Sequence, residues 1–317
     1  MSLLKRSSQD SLSHDCVEAV GFRGRSGPRA TANGEPEPPP RHVNLSKVGY
    51  QGEPGAYSDE AAQRLFPETE SRGYPTFTDV FTAVSDGDVD AAVLPVENSL
   101  AGVVQEVNDL LWNNPQVAAV AEHVAPIRHH LLSRDGAAVT RALSHPQALA
   151  QCAGWLRKHG ITPVVFHDTA GAAREVAAHG KPGDGALASR AAADRYGLTV
   201  VAADVADDVS NRTRFLVVRL RPSQPATWSG VGKLSLGFVA EHRPGGLAAV
   251  LDVFARRQFN LTRLDSRPIP QQPFRYRFYA DVEVPDAREV EALLEQLRAT
   301  ATELRPFGAF PPAASSD

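Results

Sequence analysis

Asp207-Asp208-Val209-Ser210-Asn211-Arg212-Thr213-Arg214-Phe215-Leu216-Val217-Val218 joins a polar, turn-rich half to an apolar, β-prone half. Phe215 to Val218 reads as a strand buried on both faces, the kind found in a parallel sheet. The polar half then delivers amide, hydroxyl and guanidinium groups at one end of a buried strand. In α/β folds that is where ligands sit. The same residues also suit a solvated loop with a capping Asn and two surface arginines, and spacing alone leaves both readings open.

The chain before this stretch alternates strands and helices. Lys47 to Gln51 reads as a strand, and Gly52-Glu53-Pro54-Gly55-Ala56-Tyr57-Ser58 as a turn into a helix. Ser58 is the expected N-cap, with Asp59 and Glu60 favourable in the first turn. A Gly-rich turn opening a helix presents free amides to an anion. A strand at Tyr74–Phe77, a helix at Asp79–Ser85 and a strand at Ala91–Val96 follow, which implies a mostly parallel sheet. That last strand ends in Pro95-Val96-Glu97-Asn98-Ser99-Leu100-Ala101-Gly102. Again a carboxylate, an amide and a hydroxyl arrive at a strand end, although Asn98 or Ser99 could equally cap a helix.

A helix over 103–113 and strands at Val117–Val124 and Ile127–Leu132 come next. His129 and His130 are adjacent in a strand, so they point to opposite faces and cannot easily share a metal; they read as structural or cleft-edge residues. In Leu143-Ser144-His145-Pro146-Gln147-Ala148-Leu149-Ala150-Gln151-Cys152, Pro146 suits the first helical position and Ser144 or His145 the cap. Gln147 and Gln151 share one face. Their amides can grip a carboxylate without a full charge, though a capped surface helix has the same pattern. Val164–Phe166 is a strand, and Asp168-Thr169-Ala170-Gly171 opens another helix. A strand at Gly185–Ala188, a helix at Ser189–Tyr196 and a strand at Leu198–Ala202 lead back to Thr213.

Beyond a linker at 223–230 the pattern changes. Strands at Lys233–Ala240, Leu261–Arg267, Arg275–Val284 and Glu303–Phe307, with helices at Gly245–Arg257 and Asp286–Ala299, give βαββαβ order, which is ferredoxin-like. Residues 1–45 are rich in Ser, Gly, Pro and Arg and read as a disordered tail, and 311–317 as a short second tail.

Composition narrows the function. The chain has 317 residues and a net charge of -4, with a pI near 6.2. That is room for about two domains and offers no basic field for nucleic acid. No apolar run approaches a membrane span. Two distant cysteines, Cys16 and Cys152, fit a reducing compartment, so a cytoplasmic location is expected.

These segments carry a resemblance. Asn211-Arg212-Thr213-Arg214-Phe215, Gly52-Glu53-Pro54-Gly55-Ala56-Tyr57-Ser58, Pro95-Val96-Glu97-Asn98-Ser99 and Ser144-His145-Pro146-Gln147 through Gln151 are similar, in order, to the motifs of prephenate and arogenate dehydratases. Arg243-Pro244-Gly245-Gly246-Leu247 and Asn260-Leu261 through Asp265-Ser266-Arg267-Pro268 resemble the ACT regulatory domain of the same enzymes. Gly246, Ala248 and Asp265 depart from the ACT patterns, which bears on how strongly phenylalanine binds.

The resemblance implies a two-lobed catalytic domain like a periplasmic binding protein over 46–222, and an ACT domain over 231–310. It implies decarboxylative dehydration of prephenate to phenylpyruvate, driven by aromatisation, with no cofactor and no metal. Thr213 would donate a hydrogen bond to the departing hydroxyl, with Glu97 as proton source and Asn98 as a third catalytic residue. Ser58, Ser99, Ser144, His145, Gln147, Gln151, Thr169, Asn211 and Arg214 would bind substrate. Gly245, Gly246, Leu247, Asn260, Leu261, Asp265, Ser266 and Arg267 would bind phenylalanine as effector, in a homodimer or homotetramer. Ala56-Tyr57 resembles the arogenate-type members more, so arogenate is the alternative substrate. A binding-protein-like amino-acid sensor without catalysis is the reading from a different class.

Overall fold

The computed structural model describes residues 45–221 and 232–313. The expected N-terminal tail through residue 44, the linker at 223–230 and the chain end from 314 lie outside them. Two compact units form: one from Ser46–Val107 with Val124–Phe215, the other from Asn108–His123 with the chain from Leu216 onward.

The first sheet holds β1 (Lys47–Gln51), β2 (Glu70–Tyr74), β3 (Ala91–Asn98), the short β4 (Gly102–Val103), β5 (Val117–Pro126) and β11 (Arg212–Leu220). Its order is β2-β1-β3-β11-β5, with β4 hung on β3. β1 pairs in parallel with both β2 and β3, as the strand–helix alternation implies. The chain leaves this sheet after β5 and returns at β11, the two-lobed path expected from the sequence. Ala91–Leu94 and Phe215–Val218 are fully buried, so burial on both faces holds for the decisive strand. Its helices are α1 (Tyr57–Leu65), α2 (Phe77–Asp86) and α3 (Gln105–Asn113).

The second lobe is built on β6 (His130–Ser133), β7 (Arg141–Ser144), β8 (Thr162–Val165), β9 (Asp184–Ala188) and β10 (Thr199–Ala202), in the order β10-β6-β9-β7-β8. α4 (Pro146–Gln151), α5 (Ala153–Lys158), α6 (Thr169–His179) and α7 (Arg190–Tyr196) accompany them. Leu132, Ala172, Ala186 and Ala192 form one of this lobe's cores. Alanine lets helix and sheet backbones approach closely, which accounts for a core so poor in large side chains.

Two expectations need correcting, and one strand was not expected. The strand placed at Tyr74–Phe77 lies earlier, as β2, because Thr76 and Asp79 form a reciprocal capping box that starts α2 at Phe77. β7 was not foreseen from its short, half-polar sequence. Ser58 is not the cap of α1: Ala56 is, with no side-chain bond of its own, while Asp59 Oδ2 reaches back to the Gly55 amide at 2.8 Å. Ser58 lies inside the first turn and is buried.

In the second unit β12 (Lys233–Val239), β13 (Leu261–Pro268), β14 (Tyr276–Glu283) and β15 (Glu303–Phe310) form an antiparallel sheet ordered β13-β14-β12-β15. This is the ferredoxin-like order. α8 (Gly246–Arg256) and α9 (Ala287–Thr300) cover one face through Leu236, Phe238, Phe254, Leu294 and Leu297. Gly246, a departure at the sequence level, has a physical reason. A Cβ there would lie 2.0 Å from the Glu241 carbonyl oxygen, so only glycine lets the turn close. Gly246→Ala is expected to cost about 1–3 kcal/mol, seen as a lower midpoint in thermal or urea unfolding. An unchanged midpoint would show that the turn relaxes freely.

Candidate functional site

A cavity of about 280 Å³ opens in the first unit between its two lobes. One wall comes from β1, the start of α1 and the ends of β3 and β11. The other comes from Ile127, His129, the start of α4 and the start of α6. Helix N-termini therefore point at it from both lobes. His145 caps α4 by accepting the Gln147 amide at 3.2 Å, with Pro146 in the first helical position. Asp168 caps α6 by accepting the Gly171 amide. The leftover amides of such termini favour negative charge.

The polar side chains in the cavity form one continuous string. Asn98 Oδ1 accepts the backbone amides of Leu100 at 3.1 Å and Ala101 at 2.9 Å. That fixes its Nδ2 toward Thr213 Oγ1 at 2.9 Å, Asn211 Oδ1 at 2.7 Å and the Arg212 carbonyl at 3.2 Å. Asn211, fully buried, donates in turn from Nδ2 to Gln151 Oε1 at 3.1 Å. Thr213 Oγ1 is thus an acceptor for Asn98 and keeps its own proton for something in the cavity.

Of the expected site residues, Asn98, Thr213, Ser58, His145, Gln147, Gln151, Thr169 and Asn211 line the cavity. Four lie outside its lining. Ser144 is buried and donates to the Leu187 carbonyl at 2.6 Å, a tie between β7 and β9. Ser99 ties β3 to β11: its amide donates to the Arg212 carbonyl and its hydroxyl accepts the Arg212 amide, both at 2.9 Å. Arg214 follows Thr213 on a strand, so when Thr213 and Phe215 face the cavity Arg214 faces away. Glu97, the expected proton source, pairs with Val103 between β3 and β4 and is not among the residues lining the cavity. His129 and His130 take different partners: His129 faces Tyr57 and Gln151, while His130 Nδ1 accepts the Asp204 amide at 3.1 Å.

A second cavity, of about 370 Å³, lies in the second unit and is lined by Val239–Pro244, Leu247, Arg275, Tyr276 and Phe278. Of the expected effector residues, Leu247 lines it. Gly245 and Gly246 shape the adjoining turn, Gly245 at φ 79°. Leu261 packs on the core, Ser266 is exposed, Asn260 bonds Glu283 and Asp265 holds Arg263 at 2.6 Å. The Arg267 guanidinium donates to Asp109 of α3 at 3.0 and 3.1 Å, where Tyr279 also donates at 2.7 Å. Arg277 lies over the Trp112 ring at 4.0 Å beside them. This cluster joins residues far apart in the chain and gives no signal in local spacing.

A family model described as prephenate dehydratase matches residues 48–223. The chain belongs to the prephenate dehydratase family. The ACT domain model matches 234–302, the sheet β12–β14 with its helices. Among curated relatives, arogenate dehydratase/prephenate dehydratase 2 of Arabidopsis thaliana, described as chloroplastic, is 42% identical, covering 84% of this chain and 72% of its own. Arogenate dehydratase 2 of Petunia hybrida is 41% identical, covering 84% and 71%. Among solved structures, prephenate dehydratase of Arthrobacter aurescens in complex with L-Phe has a TM-score of 0.75 at 27% identity, over 84% of this chain and 90% of that one. A protein described as a novel type of quorum quenching acylase, GqqA, has a TM-score of 0.77 at 34% identity, over 85% and 98%.

Proposed function

We propose that the chain is a carbon–oxygen lyase that converts prephenate to phenylpyruvate, regulated by phenylalanine at its ACT domain. The observation that carries this is the polarity of the cavity. Two backbone amides fix Asn98, Asn98 donates to Thr213, and the Thr213 hydroxyl is left as a donor. In the reaction the ring carboxylate leaves as carbon dioxide, its bonding electrons complete the aromatic ring, and the C–O bond breaks. Hydroxide departs, takes a hydrogen bond from Thr213 and becomes water on taking a proton from solvent. Helix termini and Gln151 bind the dianion without placing a fixed cation on the carboxylate that must leave, so ground-state binding does not oppose decarboxylation.

Arogenate is the second substrate to test, because the plant relatives are described as arogenate dehydratases and the Ala56-Tyr57 turn resembles theirs. The acylase description of GqqA favours a nucleophile activated by a base. Thr213 instead meets a donor, Asn98 Nδ2, so dehydration is the better reading. Exposed Leu264, Phe274 and Tyr276 on and beside the β13 edge support at least a dimer. A cytoplasmic location remains part of the proposal.

Purified protein incubated separately with prephenate and arogenate, with and without phenylalanine, tests the reading. Phenylpyruvate formation altered by phenylalanine is expected. Faster release of phenylalanine from arogenate would move the substrate and leave the site unchanged. Turnover of neither would overturn the proposal.

A further inference from the structure

His129 is buried on the cavity wall. Its Nδ1 lies 2.7 Å from the Tyr57 hydroxyl and its Nε2 2.8 Å from Gln151 Oε1. The polarity of the whole string decides which nitrogen carries the proton. Asn98 Oδ1 takes two backbone amides, so Asn98 Nδ2 faces Asn211 Oδ1; Asn211 Nδ2 must then face Gln151 Oε1. An acceptor at that position requires a proton on His129 Nε2. Burial keeps the imidazole below its ordinary pKa, so it is neutral and Nδ1 is bare. The Tyr57 phenol, which burial holds well above its usual pKa, has its hydroxyl 2.7 Å from that bare nitrogen and 2.9 Å from the Arg128 carbonyl oxygen, so its one proton is shared between these two acceptors.

We propose that His129, oriented by Tyr57, is a positioning residue for the dehydration: its Nε2–H locks the Gln151 carboxamide with the oxygen turned inward. Two donors, His129 and Asn211, then hold Gln151 Oε1, and the Gln151 amide nitrogen is left to face the carboxylates of the substrate. A reversed Gln151 would turn its oxygen to the anion and set two N–H groups against His129 and Asn211. The string from Tyr57 through His129, Gln151, Asn211 and Asn98 ends at Thr213, so one wrong amide costs both binding and catalysis. His129 touches no reacting atom in this scheme; it acts through Gln151.

This inference rests on the dehydratase reading, and the wild-type protein tests that reading first by its turnover of prephenate or arogenate. His129→Phe keeps the ring and removes the donor; His129→Gln places a side-chain amide near the position of Nε2. Turnover in the Phe variant is expected to fall about 10- to 100-fold in kcat/KM, mostly through KM, because Gln151 faces the substrate carboxylates. The Gln variant should recover most of that loss, and Tyr57→Phe should lose only a few-fold. Equal kinetics for wild type and the Phe variant, or a Gln variant no better than Phe, would overturn the proposal. A second measurement needs neither turnover nor a folded His129 variant. Long-range proton–nitrogen NMR of the ¹⁵N-histidine-labelled wild-type protein, assigned from the signal that moves in Tyr57→Phe, should show the Nε2–H tautomer. The Nδ1–H tautomer would overturn the assignment even in a fully active enzyme.

Discussion

Thr213→Val is expected to lower kcat by about 100- to 1000-fold, the usual loss when one donor to a developing oxyanion is removed. Valine keeps the β-branched shape, so the change isolates the hydroxyl. The fold should tolerate it. Thr213 is 8% exposed, and Asn98 Nδ2 retains Asn211 Oδ1 and the Arg212 carbonyl as acceptors for its two protons. No buried donor is stranded, so the unfolding midpoint should move little. Thr213→Ser, which restores the hydroxyl, should regain much of the rate. Steady-state rates with prephenate, set beside thermal unfolding of the same samples, check this. A valine variant within a few-fold of wild type would remove Thr213 from the chemistry. A variant whose midpoint fell with its rate would make the residue structural.

Lys233→Met should produce the largest loss of stability. Lys233 Nζ, at the start of β12, lies 2.7 Å from Glu122 Oε1 on β5, with the lysine side chain 14% and the glutamate side chain 2% exposed. The same carboxylate oxygen accepts the Ala313 amide at 2.9 Å. Removing the ammonium takes from a nearly dry carboxylate the partner that lies 2.7 Å away. Breaking one side of such a buried pair costs about 3–5 kcal/mol. Replacing both members with apolar residues of similar size should recover a large part of that. Urea unfolding of Lys233→Met, of Glu122→Leu and of the double variant forms the needed cycle. Additive losses in the double variant would show that the pair is not coupled.

The parts of the site carried by strand ends were candidates in the sequence, and the resemblance of their motifs chose them over the loop and cap readings that spacing left open. Asn98, Asn211 and Thr213 all come from such ends, and the structure brings them within hydrogen-bonding distance. Helical spacing put Gln147 and Gln151 on one face, and Pro146 left the cap to Ser144 or His145, of which the structure uses His145. What sequence could not give was the direction of each group. Glu97 and Asn98 are neighbours, yet only Asn98 reaches the cavity. Ser144 has the right chemistry but is used within the sheet, on Leu187. Ser58 is the residue type that caps helices, but Asp59 binding the Gly55 amide moved the cap to Ala56. His129 could be read only as a structural or cleft-edge residue, since its partners Tyr57 and Gln151 are remote in sequence. Arg267 was read from its motif, and its contact with Asp109 depends on the docking of a helix that no local pattern encodes.

The place of β11 in its sheet also sets an order of events during synthesis. β11 lies between β3 and β5, although both are made long before it. Until Arg212–Leu220 leaves the ribosome, β3 and β5 each hold an unpaired inner edge, the kind of surface that recruits other strands. At about 5–20 residues per second, the wait between Pro126 and Arg212 lasts roughly 4–17 s. A nascent chain stopped in this window has Asn98 but no Thr213 and half a sheet. Chaperone dependence and aggregation should therefore peak in chains truncated before β11, and the Thr213 hydroxyl arrives with the strand that closes the fold.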